Sequence, residues 1–411
     1  MLIRLVLGFT KRGGMSFASL LGSYRRSASD KSVSEQPEKK GLSETEVLRS
    51  ALEKGAKAAA ADVVERSSSR PCRRRLAICV LCVEGLPHEA IWRRWASDLA
   101  AQDVVVEFFI HAHRRRRCSE WVREHLVSAH FDTKWGSIEL VRAAVALLRE
   151  ARKDTKLDAE YFAFVSETCV PVSTADEVTS EIFGEVPPRS WIAAADAPNN
   201  GYSKQKQFDL VSRAIPAVWK ADQWLLLSRV HARLALRADD EVVSYLRRKR
   251  KRDDESPALW RFFEDVQAAD ELYFPSVLAL CGELPEPPNL RKPRLSRRRL
   301  TWCDWSSGPK SPTTHATLTP VIVQKARAQG CLFARKFPPN ALVDADDWDR
   351  VMREARQPAS KDAPVDREMS SPDDPSSTLV QGPPPASSSC GDAQAPSPRD
   401  EVSTTRTPDP K

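Results

Sequence analysis

Residues 74–83 read RRLAICVLCV, a basic pair followed by eight apolar residues without a charge. A strand that faces water on one side alternates apolar and polar residues, so an unbroken run points to a strand buried on both faces. Outward from it, Pro87 to Leu99 has the spacing of an amphipathic helix, and VVVEFFIHA, from Val104 to Ala112, reads as a second strand. Ile138 to Ala151 carries apolar residues at helical spacing, and YFAFVS, from Tyr161 to Ser166, reads as a third strand. Strands alternating with helices predict an α/β fold with a parallel-type sheet flanked by helices. Ligands of such sheets lie beyond the carboxyl ends of the strands. That rule gathers Cys82 to Gly85, His111 to His113 and Ser166 to Cys169 around one crevice. Cys79 and Cys82 spell CxxC, but strand alternation sends them to opposite faces, so they read as buried structural thiols.

Composition sets the limits. The chain has 411 residues, 41% of them hydrophobic, with 11 Trp and 14 Phe, enough apolar material for a sizeable core. Its nine cysteines do not suit a small disulfide scaffold in a chain of this length. The net charge of +7 comes largely from two runs, Arg114 to Arg117 and RRKRKR from Arg247 to Arg252. Such runs are usually solvated faces, and without interleaved aromatics or a reading motif they do not specify a nucleic-acid partner.

A second stretch carries chemistry. DELYFPSVL, Asp270 to Leu278, places an acidic pair before an aromatic-proline turn and an apolar helix start. An acidic pair there suits an ordinary helix N-terminus and equally a catalytic carboxylate held at a cleft. The segments around it are RRLAICVLCVEGLPHEAIWRRW from Arg74, VVVEFFIHAH from Val104, KWGSIELVRAAVALLREA from Lys134, EYFAFVSETCVPV from Glu160, VWKADQWLLLSRVHARL from Val218, ADELYFPSVL from Ala269, LTWCDWSS from Leu300 and CLFARKF from Cys331. In this order they resemble the core-2/I-branching N-acetylglucosaminyltransferase family, glycosyltransferase family 14, in its plant-type branch, over roughly residues 73 to 342.

The resemblance implies a GT-A-like glycosyltransferase fold, a mixed sheet flanked by helices, whose crevice takes a UDP-sugar donor, most often UDP-N-acetylglucosamine. It implies inverting transfer to a glycan or glycoprotein acceptor, with Glu271 as general base and Asp270 orienting the loop or capping the helix. It also implies metal-free chemistry without a cofactor, Arg335 and Lys336 of FARKF taking the leaving diphosphate. Arg298 and Arg299 are further candidates for that contact, and His113 for the nucleotide base. Trp219, Lys220 and Trp224 match an acceptor-side segment; as sugar platforms the tryptophans are natural, and they suit a core equally well. The animal branch has aspartates where this chain has His113 and Cys169, so its substrates do not transfer directly. The DxD spelling Asp344-Ala345-Asp346 stands where no metal ligand is expected, and His111 with His113 lacks a third ligand. No residue is therefore assigned as a metal ligand.

The expected organisation is a targeting or anchor-like segment over 1–42, a helical stem over 43–70, the transferase domain over 71–356 and a disordered Pro/Ser-rich tail over 357–411. The first 29 residues hold four arginines, one lysine and no acid, a composition that resembles an organelle transit peptide. Family relatives are Golgi membrane proteins with one N-terminal spanning helix, which implies a Golgi location and a membrane partner. The apolar stretches here fall short of the roughly 18 to 20 residues a span needs. Two other function classes stay open: a catalytically inactive carbohydrate-binding relative and a basic nucleic-acid-binding protein. Retention of Glu271, Arg335 and Lys336 favours the enzyme.

Overall fold

The computed structural model describes residues 74–153, 159–185, 187–196, 218–249, 259–264, 266, 268–285, 294–308 and 311–356. The expectations for 1–42, 43–70 and 357–411, and for the second half of RRKRKR, lie outside the described residues. In chain order the strands begin with β1 (Arg74–Cys82), β2 (Val104–Ala112), β3 (Tyr161–Ser166), β4 (Val170–Pro171), β5 (Ser190–Trp191) and β6 (Ala195–Asp196). They continue with β7 (Trp219–Lys220), β8 (Leu226–Ser228), β9 (Leu295–Ser296), β10 (Thr301–Cys303) and β11 (Phe333–Arg335). The helices are α1 (Glu89–Ala100), α2 (Glu120–Glu124), α3 (Ile138–Glu150) and α4 (Ala175–Phe183), then α5 (Arg229–Lys249), α6 (Ala269–Leu280), α7 (Pro320–Ala328) and α8 (Ala345–Glu354).

β1 contributes to two apolar layers. Leu76, Ile78 and Val80 face one apolar layer with Ile91, Trp92, Trp95 and Leu99 of α1. Ala77, Cys79 and Leu81 face the opposite layer with Val141, Ala144, Val145 and Leu148 of α3. The uninterrupted apolar run thus covers both faces of one strand, and each fully buried Leu, Ile or Val contributes roughly 1.5 to 3 kcal/mol. Cys79 and Cys82 fall in different layers, and the seven described cysteines are all free.

The main sheet has the order β2-β1-β3-β8-β5-β9. β1 pairs in parallel with β2 and β3, as the strand–helix alternation predicts. Beyond β3 the sheet turns mixed: β8 is antiparallel to β3 and β5, and β9 is parallel to β5. Those outer strands have two or three residues each, too short for a periodic pattern to mark them. The order also reverses at β1, which puts a topological switch point beyond the carboxyl ends of β1 and β3. A small sheet, β10-β11-β4, and the β6–β7 pair complete the GT-A-like arrangement.

α6 departs from the sequence expectation. The aromatic-proline stretch is not a turn before a helix; the helix starts at Ala269 and runs through Pro275. Proline lacks the N–H that would bond the carbonyl four residues earlier, and that carbonyl belongs to Glu271. The Ala221 amide takes it instead, at 2.9 Å. The cost of an internal proline is offset by a hydrogen bond from a neighbouring segment.

Candidate active site

The segment from Trp219 to Trp224 forms the spine of the site. The Trp219 amide donates to Ser276 Oγ at 2.9 Å, and that hydroxyl donates to the Trp219 carbonyl at 3.1 Å. With the Ala221 bond to Glu271, three hydrogen bonds dock the segment on α6. The docking brings Lys220 Nζ to 3.0 Å from Glu271 Oε2, both side chains partly open to solvent. Further along, Asp222 Oδ2 lies 2.9 Å from Arg299 Nε, and Arg335 sits over the Trp224 ring at 4.9 Å. One short stretch therefore links the carboxylate Glu271 to Arg335 of β11.

Asp270, beside Glu271, does not cap the helix: Ala268 occupies the N-cap position in a left-handed conformation, φ 58°, without a side-chain cap. Asp270 Oδ1 is sealed from solvent without a hydrogen-bond partner. It lines a cavity of about 10 Å³ with Leu81, Phe164, Gln223 and Tyr273, near the minimum for one water. Burial, reinforced by the Glu271 charge, pushes its carboxyl up to about 7 against the pull of Lys220.

The basic side is held from behind by α1. Trp92 Nε1 donates to the Cys169 carbonyl at 3.2 Å and Trp95 Nε1 to that of Ser173 at 3.0 Å. His88 Nε2 donates to the Phe337 carbonyl at 3.2 Å, directly after Lys336. Register places Cys303 opposite Arg335 across β10 and β11. Burial pushes the Cys169 thiol up and the Cys303 thiol to about 12, so neither is a thiolate nucleophile. Arg335 Nε is buried without a hydrogen-bond partner, and the Lys336 ammonium has no ion-pair partner among the described residues.

Glu167 is the residue that the sequence reading passed over. It follows β3 at the switch point, takes the Val83 amide after β1, and feels the charges of Arg335 and Lys336. Burial holds its carboxyl above the ordinary range despite those cations. Its only sequence signal was its place in SETC at the predicted crevice. The strand ends do meet as expected: the His113 amide donates to the Cys82 carbonyl at 3.0 Å. His113 is half-buried, with Nδ1 3.3 Å from Asp132 Oδ1. His111 is fully buried and its Nε2 accepts from the Phe131 amide at 3.0 Å. Burial, helped by the charges of His130 and Arg115, lowers His111 to about 4, so it is a neutral loop anchor.

Other candidates are placed differently. Arg298 is not gathered with Arg335 and Lys336: it pairs with Glu181 at 2.7 Å, donates to the Gly330 carbonyl and stacks on Trp191 at 3.7 Å. Trp219 and Trp224 are buried, with Arg297 lying 5.3 Å over the first and Arg335 over the second. The core alternative fits these tryptophans better than an open sugar platform. Asp344 caps α8, accepting from the Asp347 amide at 2.8 Å. Among the described residues no three His, Cys, Asp or Glu side chains gather as a metal site. The Arg114–Arg117 run is structural in three of its members: Arg114 and Arg117 pair with Glu84, and Arg115 holds the carbonyls of Val127 to Ala129.

Residues 106–327 match the family described as Core-2/I-Branching enzyme, which is more than half of the chain. The chain belongs to the Core-2/I-branching enzyme family. The matched stretch contains the 219–224 spine and Glu271 and stops before Arg335. Among curated proteins, the rice (Oryza sativa subsp. japonica) "Glycosyltransferase BC10" is 24% identical over 261 residues, in line with the plant-type branch. That alignment covers 59% of this Core-2/I-branching chain and 60% of the rice protein, so the chain spans about three fifths of the relative it matches.

Proposed function

We propose that this Core-2/I-branching chain is a glycosyltransferase that moves a sugar from a UDP-sugar to a hydroxyl of an acceptor glycan, with inversion and without a metal. The observation that carries the reading is the 219–224 segment, which ties Glu271 through Lys220 and stacks Arg335 through Trp224. Transfer needs a base at the acceptor hydroxyl and positive charge at the leaving diphosphate. Glu271 supplies the first. Lys220 orients one of its carboxylate oxygens and leaves Oε1 to receive the proton. The acceptor oxygen attacks the anomeric carbon, the bond from that carbon to the phosphate oxygen breaks, and UDP leaves with the electron pair. Lys336 and Arg335 neutralise the charge that develops on the diphosphate, and Glu167 lies close enough to feel both cations. His113, at the end of β2, is assigned to the nucleotide base. N-acetylglucosamine is the first sugar to test, and a Golgi lumenal setting is the location we propose from the family likeness. No described helix is long and apolar enough to cross a membrane.

The test is a thermal-shift and turnover screen of the full chain with UDP-N-acetylglucosamine, UDP-xylose and UDP-glucuronate. A ligand that binds the folded state raises the melting temperature by mass action. One UDP-sugar should stabilise the chain and be turned over; stabilisation by none, UDP included, refutes the reading.

A further inference from the structure

We propose that Trp135 is an aromatic platform for a pyranose ring of the acceptor, a proposal that rests on the glycosyltransferase reading. Trp135 is 82% exposed, the most exposed large apolar side chain among the described residues. Scattered exposed apolar residues need no explanation, but this indole is presented by a rigid device. The Ser137 amide donates to the Lys134 carbonyl at 3.0 Å, closing a four-residue turn, and the Lys134 amide donates to Ser137 Oγ at 3.2 Å. Gly136 occupies the third turn position with φ +70°, which suits glycine and leaves Trp135 at the outer corner.

The turn is fastened beside the catalytic carboxylate. The Gly136 carbonyl accepts from the Ala268 amide at 3.2 Å, and Ala268 immediately precedes the helix turn that carries Glu271. At its other end the loop is tied to the β2 terminus through Asp132 to His113 and the Phe131 amide to His111. The loop thus spans from the strand ends to the base. Trp219 and Trp224, the tryptophans of the spine, are buried with arginines over their rings, whereas the Trp135 indole is open to solvent. Its neighbours in the loop, Asp132 and Lys134, are exposed charges that pair at 3.8 Å. An apolar face rimmed by hydrogen-bonding groups matches a sugar, whose C–H surface stacks while its hydroxyls find polar partners. A bilayer would call for further apolar side chains on the same turn, and there are none.

The experiment compares full-length wild type, Trp135→Ala and Trp135→Phe on an immobilised glycan array in the presence of UDP, with UDP affinity measured by calorimetry. Wild type should bind a defined set of glycans, Trp135→Ala should lose at least tenfold of that signal, and Trp135→Phe should fall between. UDP affinity should agree within about twofold across the three. Equal glycan signals in wild type and Trp135→Ala overturn the proposal, as does UDP binding with no glycan bound by wild type. A parallel fall in UDP affinity would move the ring to the donor side and also overturn it. Wild-type retention on phosphatidylcholine vesicles that Trp135→Ala abolishes would assign the indole to a membrane instead. A wild-type chain without UDP affinity would overturn the parent reading, a result distinct from each of these.

Discussion

Replacing Asp270 with Asn should stabilise the protein, and the gain should grow with pH. In the folded chain burial and the Glu271 charge push this carboxyl from an ordinary 3.8 to about 7. Below pH ~4 folded and unfolded chains both hold the proton, and the group is neutral toward folding. Between about 4 and 7 the unfolded chain releases the proton while the folded chain retains it, so rising pH favours unfolding. Above ~7 the whole penalty stands. A difference of about three pH units at 1.36 kcal/mol each sets a ceiling of roughly 4 kcal/mol. Relaxation around the carboxylate reduces it, and about 2 kcal/mol is the expected growth between pH 5 and pH 8. Asn keeps a polar group at the cavity, so a pH-independent cost of about 1 kcal/mol can accompany the exchange. Urea unfolding of wild type and Asp270→Asn at pH 5, 6.5 and 8 measures the difference. A stability difference that stays flat across that range refutes the burial argument.

Lys336→Ala should weaken UDP binding and slow transfer with the melting temperature unchanged; unaltered UDP affinity would return the lysine to the solvated surface. Turnover should survive EDTA, because the Asp344 carboxylate is committed to a helix cap and cationic side chains stand ready for the diphosphate. Loss on chelation with rescue by manganese contradicts that expectation. Pro275→Ala restores an N–H that competes with Ala221 for the Glu271 carbonyl, so turnover should fall even though an alanine favours the helix by up to ~3 kcal/mol. Unchanged turnover would show that the spine docks without that bond.

How far the sequence could be read depended on the length of its patterns. β1, β2 and β3 carry six to nine residues of apolar signal, and the strands were read to within two residues. The switch point between β1 and β3 followed from them, and with it the place of the crevice. β5, β8 and β9 hold two or three residues and are set by long-range pairing, which no local period reveals. Pro275 misled because proline normally ends a helix, and its compensation comes from Ala221, 54 positions earlier. Arg298 looks in sequence like its neighbours; only the fold shows it engaged by Glu181 and Trp191. Trp135 was visible as a letter in KWGS, but exposure is a property of the folded surface, and 11 tryptophans offered no way to single it out. Glu167 was hidden for the same reason, its proximity to Arg335 and Lys336 depending on β4 and β11 pairing.

The central claim is that Glu271 takes the proton from the acceptor hydroxyl, and Glu271→Gln tests it most directly. Glutamine keeps the size and much of the hydrogen bonding but cannot serve as the base. With a UDP-sugar that stabilises the wild type, transfer should fall by roughly 10²-fold or more. UDP affinity should hold within a factor of two, and loss of the partly exposed pair with Lys220 should cost no more than about 1 kcal/mol of stability. A folded Glu271→Gln protein with wild-type turnover would contradict the account and leave the residue as an acidic side chain at a helix start.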